Sequence, residues 1–324
     1  MNKSNYIPPH SSIWTGRKTP SELGHLYYYQ AIELNNLQQK IMTNSSKNNF
    51  VILGYECDEG VRRNNGRLGA EQGPKEIIKA LGKLAFHDQN CSIYYGGGIK
   101  CFGEDLESCQ ESFSQIITTL INQNITPIAI GGGHDIAYPH YLGIQKALGN
   151  SQKVGIINFD AHFDLRKMSK RGNSGTPFYQ IHDYNKSHSL DFDYMVLGIQ
   201  QASNTKDLFE MAEHCNVNYI KSEQCDCSNV GAVKEKVDQF LSGLSHIYVT
   251  VDMDGFASSF APGVSAPSPM GFTPHFFFDV FGHIIDSDKV ISMDIAEVNP
   301  IFDQDDCTSK LAARIIDFFV NRRG

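Results

Sequence analysis

Residues 153–166 read KVGIINFDAHFDLR, a strand-like run that ends in a cluster of charged side chains. The run KVGIINF is rich in apolar and β-branched residues, which is typical of a strand covered on both faces. Asp160, His162 and Asp164 follow at alternate positions, and side chains two apart on an extended strand lie on one face. Because buried carboxylates are costly unless they are paired or bind a metal, the stretch indicates either a cation here or a strand that has already ended in a polar turn.

Similar short apolar runs recur along the chain and alternate with helical patterns. The other predicted strands are 50–55, 125–130, 194–199, 246–251 and 289–295, and the predicted helices are 73–81, 104–123, 229–244, 273–285 and 309–322. The polar segments 166–190 and 255–272 are predicted to be loops. This alternation predicts the α/β class, as a three-layer αβα sandwich with a mostly parallel central sheet.

Composition limits the classes of function. The chain has 324 residues and a net charge of −8, which argues against a nucleic-acid partner or an anionic membrane surface. It has no apolar run of the ~18 residues that span a bilayer and no N-terminal signal-peptide pattern, so we expect no membrane partner and a cytoplasmic location. Cys225 and Cys227 are the one close pair among eight scattered cysteines, and we interpret them as reduced structural thiols.

Four polar clusters each follow a predicted strand. They are GGGHD at 131–135, DAHFD at 160–164, DMD at 252–254 and AEVNP at 296–300. Open α/β sheets bind ligands at the carboxyl ends of their strands. We therefore expect one rim of the sheet to carry His134, Asp160, His162, Asp164, Asp252, Asp254 and Glu297.

The chemistry of these side chains indicates a metal site. Carboxylates with two imidazoles and no thiolate suit Mn²⁺ better than a structural zinc ion. Any one of the clusters alone is commonly a turn or a helix cap, but all four at successive strand ends are not. The set is too large for a single ion, whereas two ions a few Å apart can share ligands and activate water. The residues therefore predict two divalent ions such as Mn²⁺ at one site.

These motifs carry a resemblance to a known family. GGGHD, NFDAHFD and VDMD resemble the three metal-binding signatures of the ureohydrolases, which include arginase, agmatinase and formimidoylglutamase. The match runs from about residue 50 to the C-terminus. WTGR at 14–17, GVRRNNGRLGAEQGPKEI at 60–77 and SGTPF at 174–178 are similar to the formimidoylglutamase branch.

The resemblance implies an arginase-like fold, two Mn²⁺ ions per subunit and a set of residue roles. Residues 1–45 would form an extension packed on one catalytic domain, 46–324, and the chain would form a homo-oligomer, as family members commonly do. One ion would be bound by His134, Asp160, Asp164 and Asp252, and the other by Asp160, His162, Asp252 and Asp254. Asp164 would accept a hydrogen bond from the attacking hydroxide and carry its proton, while Glu297 would orient the cationic amidinium of the substrate.

The implied reaction is hydrolysis of N-formimidoyl-L-glutamate to L-glutamate and formamide. This small amidino acid has two carboxylates, so its pocket should offer cations. Arg166 is the first candidate, because a guanidinium can bind a carboxylate through two hydrogen bonds. Arg62, Arg63 and Arg67, in a Gly/Asn-rich loop, are the second. Ser174 and Gly175 are expected to add hydrogen bonds.

One departure from the family and several alternatives remain. Arginases have a proton-carrying histidine downstream of D-A-H-x-D, which nothing here matches, and His140 and His182 are its substitutes by type alone. The nearest alternative function is hydrolysis of another amidino or guanidino acid. Agmatine is disfavoured, because it has no carboxylate to pair with Arg166. A non-catalytic metal-binding member of the fold is the alternative from a different class.

Overall fold

One ten-stranded sheet organises the described part of this computed structural model, namely residues 5–20, 24–39, 41, 43–87 and 90–324. The strands are β1 Tyr6–Ile7, β2 Glu33–Leu34, β3 Asn48–Glu56, β4 Cys91–Lys100, β5 Thr126–Ile130, β6 Val154–Phe159, β7 Tyr194–Ile199, β8 Asn218–Lys221, β9 His246–Asp252 and β10 Val290–Ala296. The helices are α1 Tyr28–Ala31, α2 Glu59–Arg63, α3 Gly73–Gly82, α4 Leu106–Asn122, α5 Ala137–Leu148, α6 Pro177–Ser187, α7 Lys206–His214, α8 Val230–Leu241, α9 Pro274–Ile285 and α10 Cys307–Arg323.

The sheet is parallel except at one edge. Its order is β1-β4-β3-β5-β10-β9-β6-β7-β8, with β2 beside β4, and only the β1–β4 pairing is antiparallel among the described strands. Alternate side chains of the central strands enter two cores. In β6, Ile157 and Phe159 pack on the face covered by α3, α8, α9 and α10. Ile156 packs on the face covered by α4, α5, α6 and α7. The predicted αβα sandwich with a mostly parallel sheet is confirmed.

The six strands predicted from sequence are all present; the short strands β1, β2 and β8 were missed, and so was the long strand β4. Its sequence, CSIYYGGGIK, contains three successive glycines, which break the apolar pattern of a buried strand. Gly97 has a φ of +81°, and a Cβ there would lie 2.2 Å from the carbonyl oxygen of Ile7. Glycine is therefore required where β1 approaches β4 closely.

The prediction of a loop over 166–190 was wrong for 177–187, where α6 begins with Pro177 in its first turn. Its polar sequence hides the helical period, since few apolar residues mark its buried face. The predicted boundary between residues 45 and 46 stays a prediction, although Trp14 packs edge-on against Tyr95, with ring centroids 5.6 Å apart. Among the described residues, no helix is long and apolar enough to cross a bilayer.

Strand register aligns the ends of four central strands. Ala296 at the end of β10 pairs with Asp252 at the end of β9. Phe159 at the end of β6 pairs with Val251, and β5 ends level with β10. The polar residues that follow these strands therefore stand side by side on one rim of the sheet.

Candidate functional site

His134 lies among three carboxylates. Its Nδ1 atom is 3.1 Å from Asp160 Oδ2, 3.0 Å from Asp164 Oδ2 and 3.1 Å from Asp252 Oδ2. Within the described chain, this buried nitrogen makes no hydrogen bond of ordinary geometry. One imidazole nitrogen and three carboxylate oxygens that converge on one point form a donor set for a divalent cation.

A second group shares one of these carboxylates. His162 Nδ1 lies 3.1 Å from Asp254 Oδ2 and 3.5 Å from Asp160 Oδ1. Asp160 thus faces both groups, with one oxygen toward each. Asp252 belongs to the first group, and its Oδ1 accepts a hydrogen bond from the Asp254 backbone at 2.9 Å. Asp160 is therefore placed to bridge two ions, and bridging by Asp252 stays a prediction.

Three carboxylates of these two groups have raised pKa values, which favours the binding of cations between them. Burial, followed by repulsion from Asp254 and Asp160, raises the pKa of Asp252 well above its ordinary range. Burial also raises the pKa of Asp164 and of Asp254. Crowded carboxylates that resist ionisation become favourable when divalent cations lie between them. The residues fit two hard or borderline ions, since the donors are oxygen and nitrogen without sulfur.

Two of the site residues adopt a backbone conformation that is uncommon for side chains other than glycine. Asp164 has a φ of +47° and Glu297 a φ of +66°. Glu297 is held by its neighbours: its backbone N–H donates to Gly132 O at 2.8 Å, and its Oε1 accepts from the His134 N–H at 2.9 Å. Burial raises the pKa of Glu297 to about 8. Left-handed residues that cluster at a site indicate that the fold aims their side chains at a function.

A buried hydrogen-bond chain orients His134 from behind. His134 Nε2 lies 3.0 Å from Thr250 Oγ1, and the Thr250 hydroxyl donates to Asp294 Oδ1 at 2.6 Å. Because that hydroxyl has one proton, it accepts from the Nε2–H of His134, which leaves the Nδ1 lone pair free for a metal. Asp294 also accepts from Tyr248, and His140 Nδ1 lies 2.6 Å from its second oxygen.

The same hydrogen-bond network includes His140, one of the two histidines proposed as proton carriers. His140 is fully buried, and its Nε2 lies 2.6 Å from Ser292 Oγ, so both ring nitrogens are engaged away from the cavity. His182 lies on α6 and is not among the residues that line the cavity. The structure brings neither histidine to the place where a substrate would bind.

A cavity of about 290 Å³ opens beside the two groups. Its lining includes Asn64, Asn65, Gly66, Arg67, His162, Asp164, Arg166, Ser174, Ser203, Asn204, Leu208, Asp252, Asp254, Ser265, Ala266 and Glu297. His134 and Asp160 lie behind this surface. No motif in the sequence marked Ser203, Leu208 or Ser265, which come from segments distant in sequence, and Asn64 lies within the motif at 60–77 but was given no role.

Two of the predicted substrate-binding arginines do not line this cavity. Arg62 and Arg63 lie in the short helix α2, where both pair with Glu59, at 2.6 and 2.8 Å. Arg63 also pairs with Glu107 at 2.7 Å, and its side chain is only 9% exposed. An acid three and four residues earlier on a helix competes for such cations. Arg63 therefore joins α2 to α4 through Glu107, and substrate binding by either arginine stays a prediction that the cavity lining does not support.

The other predicted residues lie in or beside the cavity. Arg67 donates to the carbonyls of Val264 and Ser265 and lies over the Phe302 ring at 4.0 Å, so its guanidinium holds a neighbouring loop. The Ser174 hydroxyl accepts from the Asn64 amide at 3.1 Å.

Arg166 is exposed, and its guanidinium has no hydrogen-bonded or ion-paired partner within the described ranges. Gly175 does not line the cavity but supports this arginine. Its carbonyl accepts from the Arg166 backbone at 3.0 Å, and a Cβ there would lie 3.1 Å from Arg166 Cδ.

Taken together, the parallel sheet and the two carboxylate–imidazole groups at its rim define a binuclear metal centre of the arginase type. The chain belongs to the arginase family, whose sequence model matches residues 48–320.

More particularly, the chain is similar to formimidoylglutamases. It is 41% identical to the one from Geobacillus sp. (strain WCH70), over 95% of this chain and 94% of that protein. It is 39% identical to the one from Legionella pneumophila (strain Lens), over 97% and 96%. A variant of Trypanosoma cruzi formiminoglutamase, solved with Mn²⁺, matches with a TM-score of 0.75 and 25% identity over 86% of this chain and 94% of that chain. Formimidoylglutamase from Bacillus subtilis has the same fold, with a TM-score of 0.76 at 23% identity over 86% and 88%.

Proposed function

We propose that this protein hydrolyses N-formimidoyl-L-glutamate to L-glutamate and formamide. Water adds to the formimidoyl carbon, the bond from that carbon to the glutamate nitrogen breaks, and a proton passes to the leaving amine. The observation that carries the proposal is the cavity itself. The Arg166 guanidinium, which has no partner among the described residues, lies in the same lining as Glu297 and the carboxylates proposed to bind metal. The curated relatives named formimidoylglutamase support this choice of substrate.

Two Mn²⁺ ions fit the donor set. His134, Asp160, Asp164 and Asp252 would bind one, and Asp160, His162 and Asp254 the other, with Asp252 proposed as an additional ligand. When bound, the ions supply positive charge that lowers the pKa of water and stabilises negative charge on the reacting group. The manganese-containing structure of the Trypanosoma cruzi relative supports this choice of metal.

Glu297 would bind the amidinium end of the substrate. It is buried, it lines the cavity, and a hydrogen bond to the His134 backbone fixes one of its oxygens. Its other oxygen, Oε2, has no hydrogen-bond partner in the described structure. An amidinium beside it would satisfy this oxygen and favour the ionised carboxylate, which lowers the pKa of Glu297 from about 8. The pair would orient the substrate carbon toward the metal-binding groups.

Asp164 would accept a hydrogen bond from the attacking water and then carry its proton. In the first metal group, Asp164 and Asp252 line the cavity, whereas His134 and Asp160 are covered. Asp164 is 14% exposed, the most of the three carboxylates around His134, so a water molecule in the cavity can reach it.

Arg166 would select for acidic substrates. Its planar guanidinium can bind a carboxylate through two parallel hydrogen bonds. The Gly175 carbonyl anchors its backbone, and the Ser174 hydroxyl and Asn64 amide lie in the same lining.

We further propose a cytoplasmic role in histidine degradation and assembly into a homo-oligomer. The described cysteines form no disulfide bonds, as is usual in a reducing compartment.

A substrate panel tests the proposal. Mn²⁺-loaded protein is incubated separately with N-formimidoyl-L-glutamate, arginine, agmatine and 4-guanidinobutyrate, and the released amine and amide are measured. We expect the highest kcat/KM by far with N-formimidoyl-L-glutamate. Higher turnover of a guanidino compound would overturn the choice of substrate. No turnover of any of the four compounds by protein that retains its metal would favour a non-catalytic role.

A further inference from the structure

Three cysteine thiols meet on the same rim of the sheet, outside the His/Asp groups. Cys57 and Cys101 directly follow β3 and β4, whose register pairs Glu56 with Lys100. The Cys101 N–H donates to Glu56 O at 3.1 Å, which fixes the two strand ends together. Cys109, in the first turns of α4, completes the group, and the three sulfur atoms lie within 4.8 Å of one another.

The surroundings of these thiols differ in exposure. Cys57 and Cys109 are buried, whereas Cys101 is partly exposed, and none of the three is in a disulfide. Hydrogen bonds from the Cys109 and Cys57 thiols lower the pKa of Cys101 below that of an ordinary thiol. An accessible sulfur backed by two buried sulfurs is a soft donor set, and thiolates are the ligands that d¹⁰ ions prefer.

We propose that Cys57, Cys101 and Cys109 form a binding site for one thiophilic d¹⁰ ion, of the class of Zn²⁺, Cd²⁺ and Cu⁺, separate from the manganese centre. A metal–sulfur bond of about 2.3 Å places three ligand sulfurs roughly 4 Å apart, so the observed spacing needs only small movements. Binding releases the thiol protons, because the ion is bound by thiolates. The exposed side at Cys101 gives the ion its entry path and leaves room for a water ligand.

The backbone of Cys57 contacts the turn that leads to the manganese centre. Its carbonyl accepts a hydrogen bond from the Gly133 N–H at 3.0 Å, in the turn that leads to His134. A Cβ at Gly132 would lie 1.6 Å from the same carbonyl oxygen, so the two backbones are in direct contact. Substitution of Cys57 could disturb both sites, and Cys101 is the better probe.

The test uses Cd²⁺ as the probe ion. The Mn²⁺-loaded protein is titrated with Cd²⁺ while the thiolate-to-cadmium charge-transfer band in the ultraviolet and the bound metals are measured. We expect one Cd²⁺ per chain to give the band without release of Mn²⁺. Cys101→Ser should weaken this binding by at least about 100-fold, since removal of a ligand exceeds the effect of removing an outer partner. Cys227→Ser, which removes an exposed thiol elsewhere, should leave the binding unchanged.

Two results would overturn the thiol site. One is a band that persists in Cys101→Ser, and the other is Cd²⁺ uptake that gives no thiolate band and only displaces Mn²⁺. Circular dichroism melting and Mn²⁺ content of Cys101→Ser show whether the variant is folded. Cys109→Ser provides a second variant that should also lose the band. None of these measurements uses hydrolytic activity, so a failure here is distinguishable from a failure of the proposed reaction.

Discussion

Two clusters of ionisable side chains share one rim of the sheet and differ in donor chemistry. At the ends of β5, β6 and β9, buried carboxylates and imidazoles crowd together, and burial and mutual repulsion raise the pKa of carboxylates such as Asp252. At the ends of β3 and β4, three sulfurs meet instead. The first cluster suits hard or borderline cations, and the second suits soft ones. The same strand-end geometry can therefore serve two kinds of metal, and the donor atoms decide which.

The largest expected effect is the loss of Mn²⁺ on substitution of Asp160, and it should leave the thiol cluster unaffected. Asp160 faces both metal groups, so Asp160→Asn should weaken Mn²⁺ binding by more than about 100-fold, beyond the effect of losing an outer partner. Activity should fall with the metal content, which is measured after dialysis. The thiol cluster gives the control, because Cys101→Ser should keep its Mn²⁺. Equal Mn²⁺ loss in both variants would mean that the clusters are not independent.

Arg166→Ala should produce the next largest effect, and on one substrate only. Removing one partner of a hydrogen-bonded ion pair costs about 2–5 kcal/mol. Because Arg166 is exposed, we expect the lower end of this range, about 30-fold in kcat/KM for N-formimidoyl-L-glutamate. Metal content should not change.

Lys167→Ala, an exposed neighbour outside the cavity, is the matched control. A small formamidine without carboxylates should lose much less activity, because it never used the arginine. Equal losses on both substrates would show that Arg166 supports the metal site rather than the substrate.

Substitution of Asp294 tests whether the buried hydrogen-bond network behind His134 contributes to Mn²⁺ affinity. Asp294→Asn removes the charge that receives the Thr250 hydroxyl, so His134 should lose its fixed tautomer. We expect Mn²⁺ affinity to fall by about 10-fold, the lower end for outer-shell partners. Thr250→Ser, which keeps the hydroxyl, is the control and should bind Mn²⁺ nearly as well as the parent chain. Unchanged Mn²⁺ affinity in a folded Asp294→Asn protein would contradict this role.

The pH dependence of stability should differ between metal-free and metal-loaded protein. Burial raises the pKa of Glu297 from an ordinary 4.5 to about 8 in the folded chain. The contribution of protonated Glu297 to the stability of the folded chain is therefore fully present below about pH 4.5 and is lost as pH rises through 8. The metal-free melting temperature should fall across this interval. Mn²⁺ should raise it most near pH 8, because the cations favour ionised carboxylates. A metal-free melting temperature that rises from pH 5 to 8 would contradict the assignment.

The metal centre was predictable because its signals are local. Asp160, His162 and Asp164 are close in sequence, and each cluster directly follows a recognisable strand. A parallel sheet then brings such strand ends together. The fold class followed for the same reason, although the three glycines of β4 hid one long strand.

Features that depend on register or distant partners were not predictable. Arg63 is drawn to Glu107, 44 residues later in the chain, and this pairing requires the position of α4. Glu59, by contrast, lies three and four residues before the two arginines, a signal that could have indicated an ion pair. The thiol cluster depends on the pairing of β3 with β4, and no spacing in the sequence joins Cys57 to Cys101. Cys57, Cys101 and Cys109 therefore appeared to be isolated thiols.

The central claim is that two Mn²⁺ ions per chain support hydrolysis of the amidine. The direct test is to remove the metals with a chelator, add Mn²⁺ stepwise, and measure glutamate release from N-formimidoyl-L-glutamate against bound manganese. The two donor groups predict that activity rises until about two ions are bound per chain and then stays constant. Full activity at one bound ion, or in the metal-free chain, would contradict the account.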